Sequence, residues 1–126
     1  MIRSNADPVF ALDHTQIAIP KGEEARARAF WCDALGLREI AKPEALHPRG
    51  GLWLALNGAE LHLGVEEPFT PARKAHPGFA VADIDDIAAR ITALGQTPRW
   101  EDTIKNRRRF FAEDPFGNRL EFLQKD

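Results

Sequence analysis

The amino-acid sequence predicts an α+β fold in which two βαβββ modules repeat one another. Short stretches of alternating apolar and polar residues predict strands, and two stretches with helical apolar spacing are each followed by a glycine. The order strand, helix, strand, strand, strand occurs twice. The 126 residues are therefore expected to form a single domain, with module 1 at about residues 11–66, a linker at 67–74 and module 2 at about 75–124.

Module 1 is predicted from four strand patterns and one helical pattern. The strands lie at residues 12–19, 37–40, 51–56 and 59–66. Pro20 ends the first strand, and Gly36 suits the position just after a helix at residues 23–35. The Asn57-Gly58 pair is typical of the two-residue turn of a β-hairpin. The last two strands of the module are therefore expected to pair as neighbours.

Module 2 repeats this arrangement and ends in a second hairpin. Its strands are predicted at residues 76–81, around 98–100, at 110–112 and at 120–123. A helix at residues 82–94 is followed by Gly95. Pro115 presets φ in the final turn and Gly117 supplies the positive φ that reverses the chain. The hairpin therefore carries Glu121 on a strand between two apolar neighbours.

The two modules can be aligned with each other in sequence. Residues 14–19 match residues 76–81 at an offset of 62, and residues 58–63 match residues 117–122 at an offset of 59. This alignment pairs potential metal ligands, His14 with His76 and His62 with Glu121. Four such side chains therefore occupy two equivalent positions of the repeat.

These four side chains are predicted to lie on the open faces of the sheets. Strand alternation places them opposite the apolar residues that a helix can cover. If two curved modules pack edge to edge, the open faces line a cup in which three imidazoles and one carboxylate converge. This set suits one divalent ion, either Zn, Ni, Mn, Co or Fe, with substrate or water completing its shell. The alternative is a set of hydrogen-bonded or solvated side chains, which is also the expectation for His47 in its loop.

Composition excludes several classes of function. A net charge of −2, with Lys and Arg scattered except at residues 105–109, gives no broad basic face for nucleic acid. That run suggests at most a small anionic ligand. The single cysteine, Cys32, excludes an intrachain disulfide and is expected to be a core thiol in a reducing compartment. No run of about 18 apolar residues could span a bilayer and no signal-peptide pattern is present, which predicts a cytoplasmic protein without membrane contact.

The sequence resembles the vicinal oxygen chelate superfamily of glyoxalase, bleomycin-resistance and extradiol dioxygenase proteins. The segments that carry the resemblance are Leu12-Asp13-His14, residues 30–36, His76 and residues 114–121. The resemblance implies a glyoxalase-like cup, with His14, His76 and Glu121 as metal ligands. It places His62 where glyoxalase I-like members have a further ligand, usually Glu, and this is a departure. A homodimer with sites formed between modules is also implied.

The resemblance further implies a metal-dependent lyase or isomerase that acts on a small molecule. Chelation of two adjacent substrate oxygens would stabilise an enediolate-like charge, while Glu121 or His62 moves a proton on carbon. Four other residues are expected to face the cup and bind substrate, namely Gln16, Trp53, Arg109 and Phe111. Two alternatives stay open, a ligand-sequestering protein of the bleomycin-binding type and an extradiol-type dioxygenase. Dioxygenases use a Tyr where Phe111 stands, and this chain has no Tyr.

Overall fold

The computed structural model describes residues 8–126, which form two modules of the predicted βαβββ type. The strands of module 1 are β1 (His14–Ile19), β2 (Glu39–Ile40), β3 (Leu52–Ala55) and β4 (Glu60–Val65). Those of module 2 are β5 (Gly78–Val81), β6 (Arg99–Glu101), β7 (Arg109–Glu113) and β8 (Arg119–Gln124). The predicted α+β fold class is confirmed.

The two sheets have the same topology. Their strand orders are β1-β4-β3-β2 and β5-β8-β7-β6, with the first pair of each sheet parallel and the other pairs antiparallel. In module 1, His62 is paired with Gln16 on one side and Trp53 on the other. In module 2, Glu121 is paired with Gly78 and Phe111 in the same way. The repeat therefore extends from the sequence to the strand register.

The first helix differs from the regular helix predicted at residues 23–35. Helix α1 (Glu24–Arg28) continues into a wider π-helical segment, Ala29–Ala34. The backbone N–H of Leu35 donates to the carbonyl of Phe30, five residues earlier, at 3.0 Å. Phe30 and Trp31 are both buried in this segment. The wider turn therefore directs two adjacent large side chains into the core.

The remaining helical segments follow local sequence signals. Helix α2 (Ile84–Ala93) begins after Asp83, whose side chain accepts a hydrogen bond from the Asp86 N–H, as an N-cap residue does. Residues Glu44–Arg49, within the predicted polar loop, form a 3₁₀ segment. In the described residues 8–126, no helix is both long enough and apolar enough to cross a membrane.

One apolar core runs through both modules. The rings of Trp31, in module 1, and Phe79, in module 2, have centroids 5.7 Å apart. The Asn118 side-chain N–H donates to the Ala18 carbonyl at 2.8 Å, which adds a polar link between the modules. Cys32 is half-buried and packs against this core, as a structural thiol would. Because the helices cover the inner sheet faces, the opposite faces are left for a site.

The turn between β7 and β8 is organised by one buried carboxylate. Asp114 Oδ1 accepts hydrogen bonds at 2.9 Å from the N–H groups of Phe116 and Asn118. Gly117 has φ of +94°, which few other residues adopt without strain. Burial raises the pKa of Asp114, although its hydrogen bonds to Asn118, Phe116 and Gly117 oppose this shift. The predicted hairpin is present, and its geometry sets where β8 begins.

Candidate functional site

Four predicted site residues of module 1 lie together on the open face of its sheet. The rings of Trp53 and His62 stack with centroids 3.9 Å apart and planes 1° from parallel. His14 stacks on His62 in turn, at 4.2 Å. Gln16 occupies the space above Gly64, where an added Cβ would come within 2.7 Å of its side-chain nitrogen. These residues line one cavity of about 510 Å³.

The two stacked histidines of module 1 are each held by a neighbouring carboxylate. The Nδ1–H of His14 donates to Asp13 at 2.8 Å, and the Nε2–H of His62 donates to Glu60 at 2.9 Å. These bonds leave the lone pair of His14 on Nε2 and that of His62 on Nδ1. A carboxylate on the second ring nitrogen is a common way of orienting a metal-binding or acid-base histidine.

The predicted site residues of module 2 surround one carboxylate. Glu121 Oε1 lies 2.9 Å from His76 Nε2, and Oε2 accepts from Arg109 Nη1 at 3.0 Å. Burial alone would raise the pKa of Glu121, but hydrogen bonds from His76 and Arg109, together with their charges, outweigh it and hold this pKa below its usual value. Glu121 is therefore an ionised group in a largely buried position.

His76 lies just before β5 rather than inside the strand predicted at residues 76–81. Its Nδ1–H donates to the Lys74 carbonyl at 2.9 Å, while its Nε2 faces the Glu121 carboxylate at 2.9 Å. A neutral imidazole has only one N–H and cannot donate to both acceptors. The two ring nitrogens of His76 therefore face two acceptors and share one N–H between them.

Phe111 lies at the centre of the charged groups in module 2. Its ring centroid is 5.4 Å from that of His76, and the guanidinium carbons of Arg109 and Arg119 lie 5.3 and 4.2 Å from it. Arg109 also donates to the hydroxyl of Thr103 at 3.0 Å. The charge of Arg109, expected from the sequence to meet substrate, is already engaged by Glu121.

The chain by itself does not bring all four predicted ligands together. Within residues 8–126, no group of three or more His, Cys, Asp or Glu side chains is arranged to hold one metal ion. We refer to His14 with His62 as half-site 1, and to His76 with Glu121 as half-site 2. His47 belongs to neither half-site and is exposed, with its Nε2 3.1 Å from the Lys42 carbonyl.

Several residues near the half-sites did not emerge as site residues from the sequence. Asp13 belongs to the opening motif, but its hydrogen bond to His14 depends on a side-chain rotamer. Lys42, in a loop, and Arg49, at the end of the 3₁₀ segment, line the cavity of half-site 1 where the sequence has no strand periodicity. Arg119 could have been found, because it lies two residues before Glu121 and so shares its sheet face.

The repeated βαβββ fold, with imidazole and carboxylate groups on its open sheet faces, defines the vicinal-oxygen-chelate class of proteins. The chain belongs to the Glyoxalase/Bleomycin resistance protein/Dioxygenase superfamily, whose family model matches residues 11–122. Among curated proteins, none matches this chain.

Solved structures of similar proteins have different functional descriptions. A protein of Bacillus anthracis described as a glyoxalase family member is 40% identical, with a TM-score of 0.90, covering 95% of this chain and 98% of that one. The oxidase ChaP-H2 is 26% identical, with a TM-score of 0.70 and coverage of 94% and 96%. The antibiotic-binding protein TnmS3 of Streptomyces sp. CB03234 is 20% identical, with a TM-score of 0.70 and coverage of 94% and 98%. The last likeness shows the fold alone.

Proposed function

We propose that this protein is a metal-dependent lyase or isomerase of the glyoxalase type, acting on a small molecule with two adjacent oxygens. One divalent ion binds per site, and half-site 1 of one chain meets half-site 2 of a second chain in a homodimer. The observation that carries the proposal is the environment of His76, which places two acceptors on one imidazole. His76 and Glu121 would both serve as ligands of a divalent ion, which would supply positive charge to the imidazole and to the carboxylate.

The donor chemistry of the two half-sites fits such an ion. Catalytic zinc sites use three protein ligands and leave a position open for water or substrate. His14, His76 and Glu121 supply two imidazoles and one carboxylate, which is a set that Zn and related ions accept. The bonds of His14 to Asp13 and of His76 to the Lys74 carbonyl are the outer contacts that orient such ligands. Each half-site holds too few of these ligands, which supports a dimer.

His62 is assigned the proton-transfer step rather than metal binding. Its Nε2–H is engaged by Glu60, and its side chain is 6% exposed between two stacked rings. A carboxylate that orients an imidazole is the arrangement found in general acid-base pairs. His62 Nδ1 thus accepts a proton from a substrate carbon, and Glu60 stabilises the imidazolium that forms. Glu121 is the second candidate for this proton.

The other residues bind and orient the substrate. When bound, the divalent ion supplies Lewis-acid stabilisation of negative charge on the two substrate oxygens. Trp53 forms an apolar wall in module 1 and Phe111 forms one in module 2, and these walls exclude water from the reacting carbon. The Gln16 amide can donate a hydrogen bond to a substrate oxygen. Arg109 keeps Glu121 ionised and fixes the position of its carboxylate.

A second candidate is an oxygen-dependent oxidation at the same residues. The likeness to the oxidase ChaP-H2, at 26% identity, favours this chemistry. Phe111 argues against an extradiol mechanism that needs a phenol at this position, because this chain contains no Tyr. The two candidates differ in whether turnover consumes oxygen.

A substrate screen distinguishes the candidates. Metal-loaded protein is incubated with hydroxycarbonyl compounds and thiol adducts, with and without oxygen, beside the His62→Gln and Glu121→Gln variants. Oxygen-independent turnover that both variants reduce supports the lyase or isomerase. Turnover that requires oxygen supports the oxidase, and tight binding without turnover in either condition supports a sequestering protein.

Metal content provides a test that does not depend on a substrate. We expect elemental analysis to find one divalent ion per chain in the wild type and a large loss in His76→Ala, because this variant removes an imidazole ligand. His47→Ala is the matched control, since it removes an exposed histidine outside both half-sites. Metal content in His76→Ala equal to that of the control contradicts the assignment.

A further inference from the structure

A cluster of three arginines lies beside half-site 2. Arg73, Arg99 and Arg119 line a cavity of about 510 Å³ together with Glu113 and Gly117. Within residues 8–126, none of the three arginines forms an ion pair. By contrast, Arg108 and Arg109 in the basic run of the sequence are paired with Asp85 and Glu121. Three cations without an ion pair therefore lie together in this cavity, outside the basic run at residues 105–109.

Strand register places two members of this cluster, Arg99 and Arg119, on the sheet face that carries Glu121. Arg99 is paired with Phe111 across β6 and β7, and Phe111 is paired with Glu121 across β7 and β8. Directly paired residues share a face, and so do Arg119 and Glu121, which are two residues apart. Their Cα atoms are thus separated by about 7 Å along the strand. One small molecule can span that distance.

Three local contacts position Arg73 and Arg119 within the cluster. The linker is tied to the final hairpin, because the Ala72 N–H donates to the Asn118 side chain and the Arg119 N–H donates to the Ala72 carbonyl, both at 2.9 Å. These bonds fix Arg73 beside Arg119. The guanidinium of Arg119 lies 4.2 Å from the centroid of Phe111, where the ring face attracts the cation.

The charges in this cavity favour an anion. Three guanidinium groups repel one another, and Glu113 is the only carboxylate among the lining residues that the structure describes. Guanidinium groups bind phosphate and carboxylate oxygens through paired N–H donors, and an anion between them removes the repulsion. The cavity therefore has the chemistry of an oxyanion site.

We propose that Arg73, Arg99 and Arg119 bind the phosphate or carboxylate group of an anionic substrate whose oxygens are held beside Glu121. This inference rests on the proposed function, because it places the anionic group and the reacting oxygens on one molecule. It names the substrate class as a small compound with an oxyanion at one end and two adjacent oxygens at the other.

Inorganic phosphate is the first probe, titrated calorimetrically into the metal-free full chain at constant ionic strength. We expect saturable binding that becomes about tenfold weaker in Arg99→Gln and in Arg119→Gln, because each loses a charged hydrogen-bond donor. Arg107→Gln is the matched control, since it removes an exposed cation from the neighbouring loop. Absence of saturable binding, or an equal loss in Arg107→Gln, overturns the proposal.

Further titrations identify the anion, and thermal unfolding separates a loss of binding from misfolding of a variant. Methyl phosphate and malonate are titrated in the same way, and a preference for either supports the cavity and selects its anion. Tighter binding of a single-stranded oligonucleotide than of methyl phosphate overturns the proposal. Arg119→Gln also removes a contact with Phe111, so thermal unfolding is measured for each variant. If Arg119→Gln does not fold, phosphate binding by Arg99→Gln alone tests the proposal. Metal content is measured separately, so loss of the proposed metal centre and loss of phosphate binding are distinguishable.

Discussion

Glu121 shows how one residue can stay charged when it is largely removed from water. Its side chain is 13% exposed, and each oxygen has a cationic or potentially cationic partner. A buried carboxylate without such partners binds a proton at higher pH. The guanidinium of Arg109 has its own support, from Thr103 and from the ring of Phe111.

Replacing Arg109 by Gln is expected to raise the pKa of Glu121. Burial raises this pKa, and the variant loses one of the two partners that lower it. With its pKa below the usual value in the folded chain, Glu121 stabilises the fold at neutral pH, and this contribution is lost as the pH falls through the folded pKa. The variant should therefore unfold more easily at pH 7, by about 1–3 kcal/mol, and lose less stability on acidification. Carboxyl NMR titration and denaturant unfolding across pH measure both effects.

The control for this change is Arg107→Gln, which removes an exposed positive charge from the loop just before β7. Its Glu121 pKa and its unfolding free energy should match the wild type. A Glu121 pKa that stays unchanged in Arg109→Gln contradicts the role assigned to this arginine.

Sequence periodicity predicts the sheet face on which a side chain lies, but it does not predict the side chain's rotamer. The alternation around Glu121 and His62 was enough to predict which sheet face each side chain occupies. The bond between His62 and Glu60, and the capture of Arg109 by Glu121, depend on side-chain torsions that alternation does not specify. The role predicted for Arg109 as a substrate cation therefore differs from the role that its contacts support.

At the scale of an element, the turn between β7 and β8 depends on Asp114. This carboxylate accepts from two backbone N–H groups and from the Asn118 side chain, so it satisfies donors that water reaches poorly. The same turn positions β8, which carries both Arg119 and Glu121. A change at Asp114 is therefore expected to disturb half-site 2 as well as the fold.

Asp114→Ala is expected to lower the free energy of unfolding by about 2–4 kcal/mol, because several buried donors lose their acceptor. Denaturant unfolding measures the loss. Asp102→Ala is the control, since Asp102 is exposed in the loop after β6 and should change stability little. Equal unfolding curves for the two variants would show that the turn does not depend on this carboxylate.

Element types were predictable where the local chemistry is strong, as in the Asn57-Gly58 hairpin and the turn at Gly117. The π-helical segment was not, because Ala27, Phe30 and Trp31 have spacing that a regular helix also satisfies. A bond from Leu35 to Phe30 shifts the helical repeat by one residue without leaving a sign in the apolar pattern. The ends of the strands also differ from the predicted ones. His76, for example, was predicted to begin a strand but lies just before β5.

At the scale of the whole molecule, the two half-sites are separated although one core joins the modules. The repeat singled out the four residues that make up the half-sites, because it matched His14 with His76 and His62 with Glu121. The sequence contains no comparable signal for how the two modules face each other within a chain. That arrangement depends on core contacts such as Trp31 with Phe79, which periodicity within one module does not specify.

The proposed homodimer predicts an association state. Analytical ultracentrifugation at micromolar concentration should find a dimer, since the proposal takes the ligands of each metal centre from two chains. Sedimentation as a monomer across this range would remove the dimeric arrangement.

The most direct test of a metal centre shared between chains mixes two inactive ligand variants. His14→Ala and Glu121→Ala are unfolded, combined and refolded with Co²⁺, and bound metal is measured after removal of excess ion. If each centre takes His14 from one chain and Glu121 from the other, half of the dimers regain one intact site, so the mixture recovers about a quarter of the wild-type metal while each variant alone binds little. A mixture that binds no more metal than the separate variants contradicts the account.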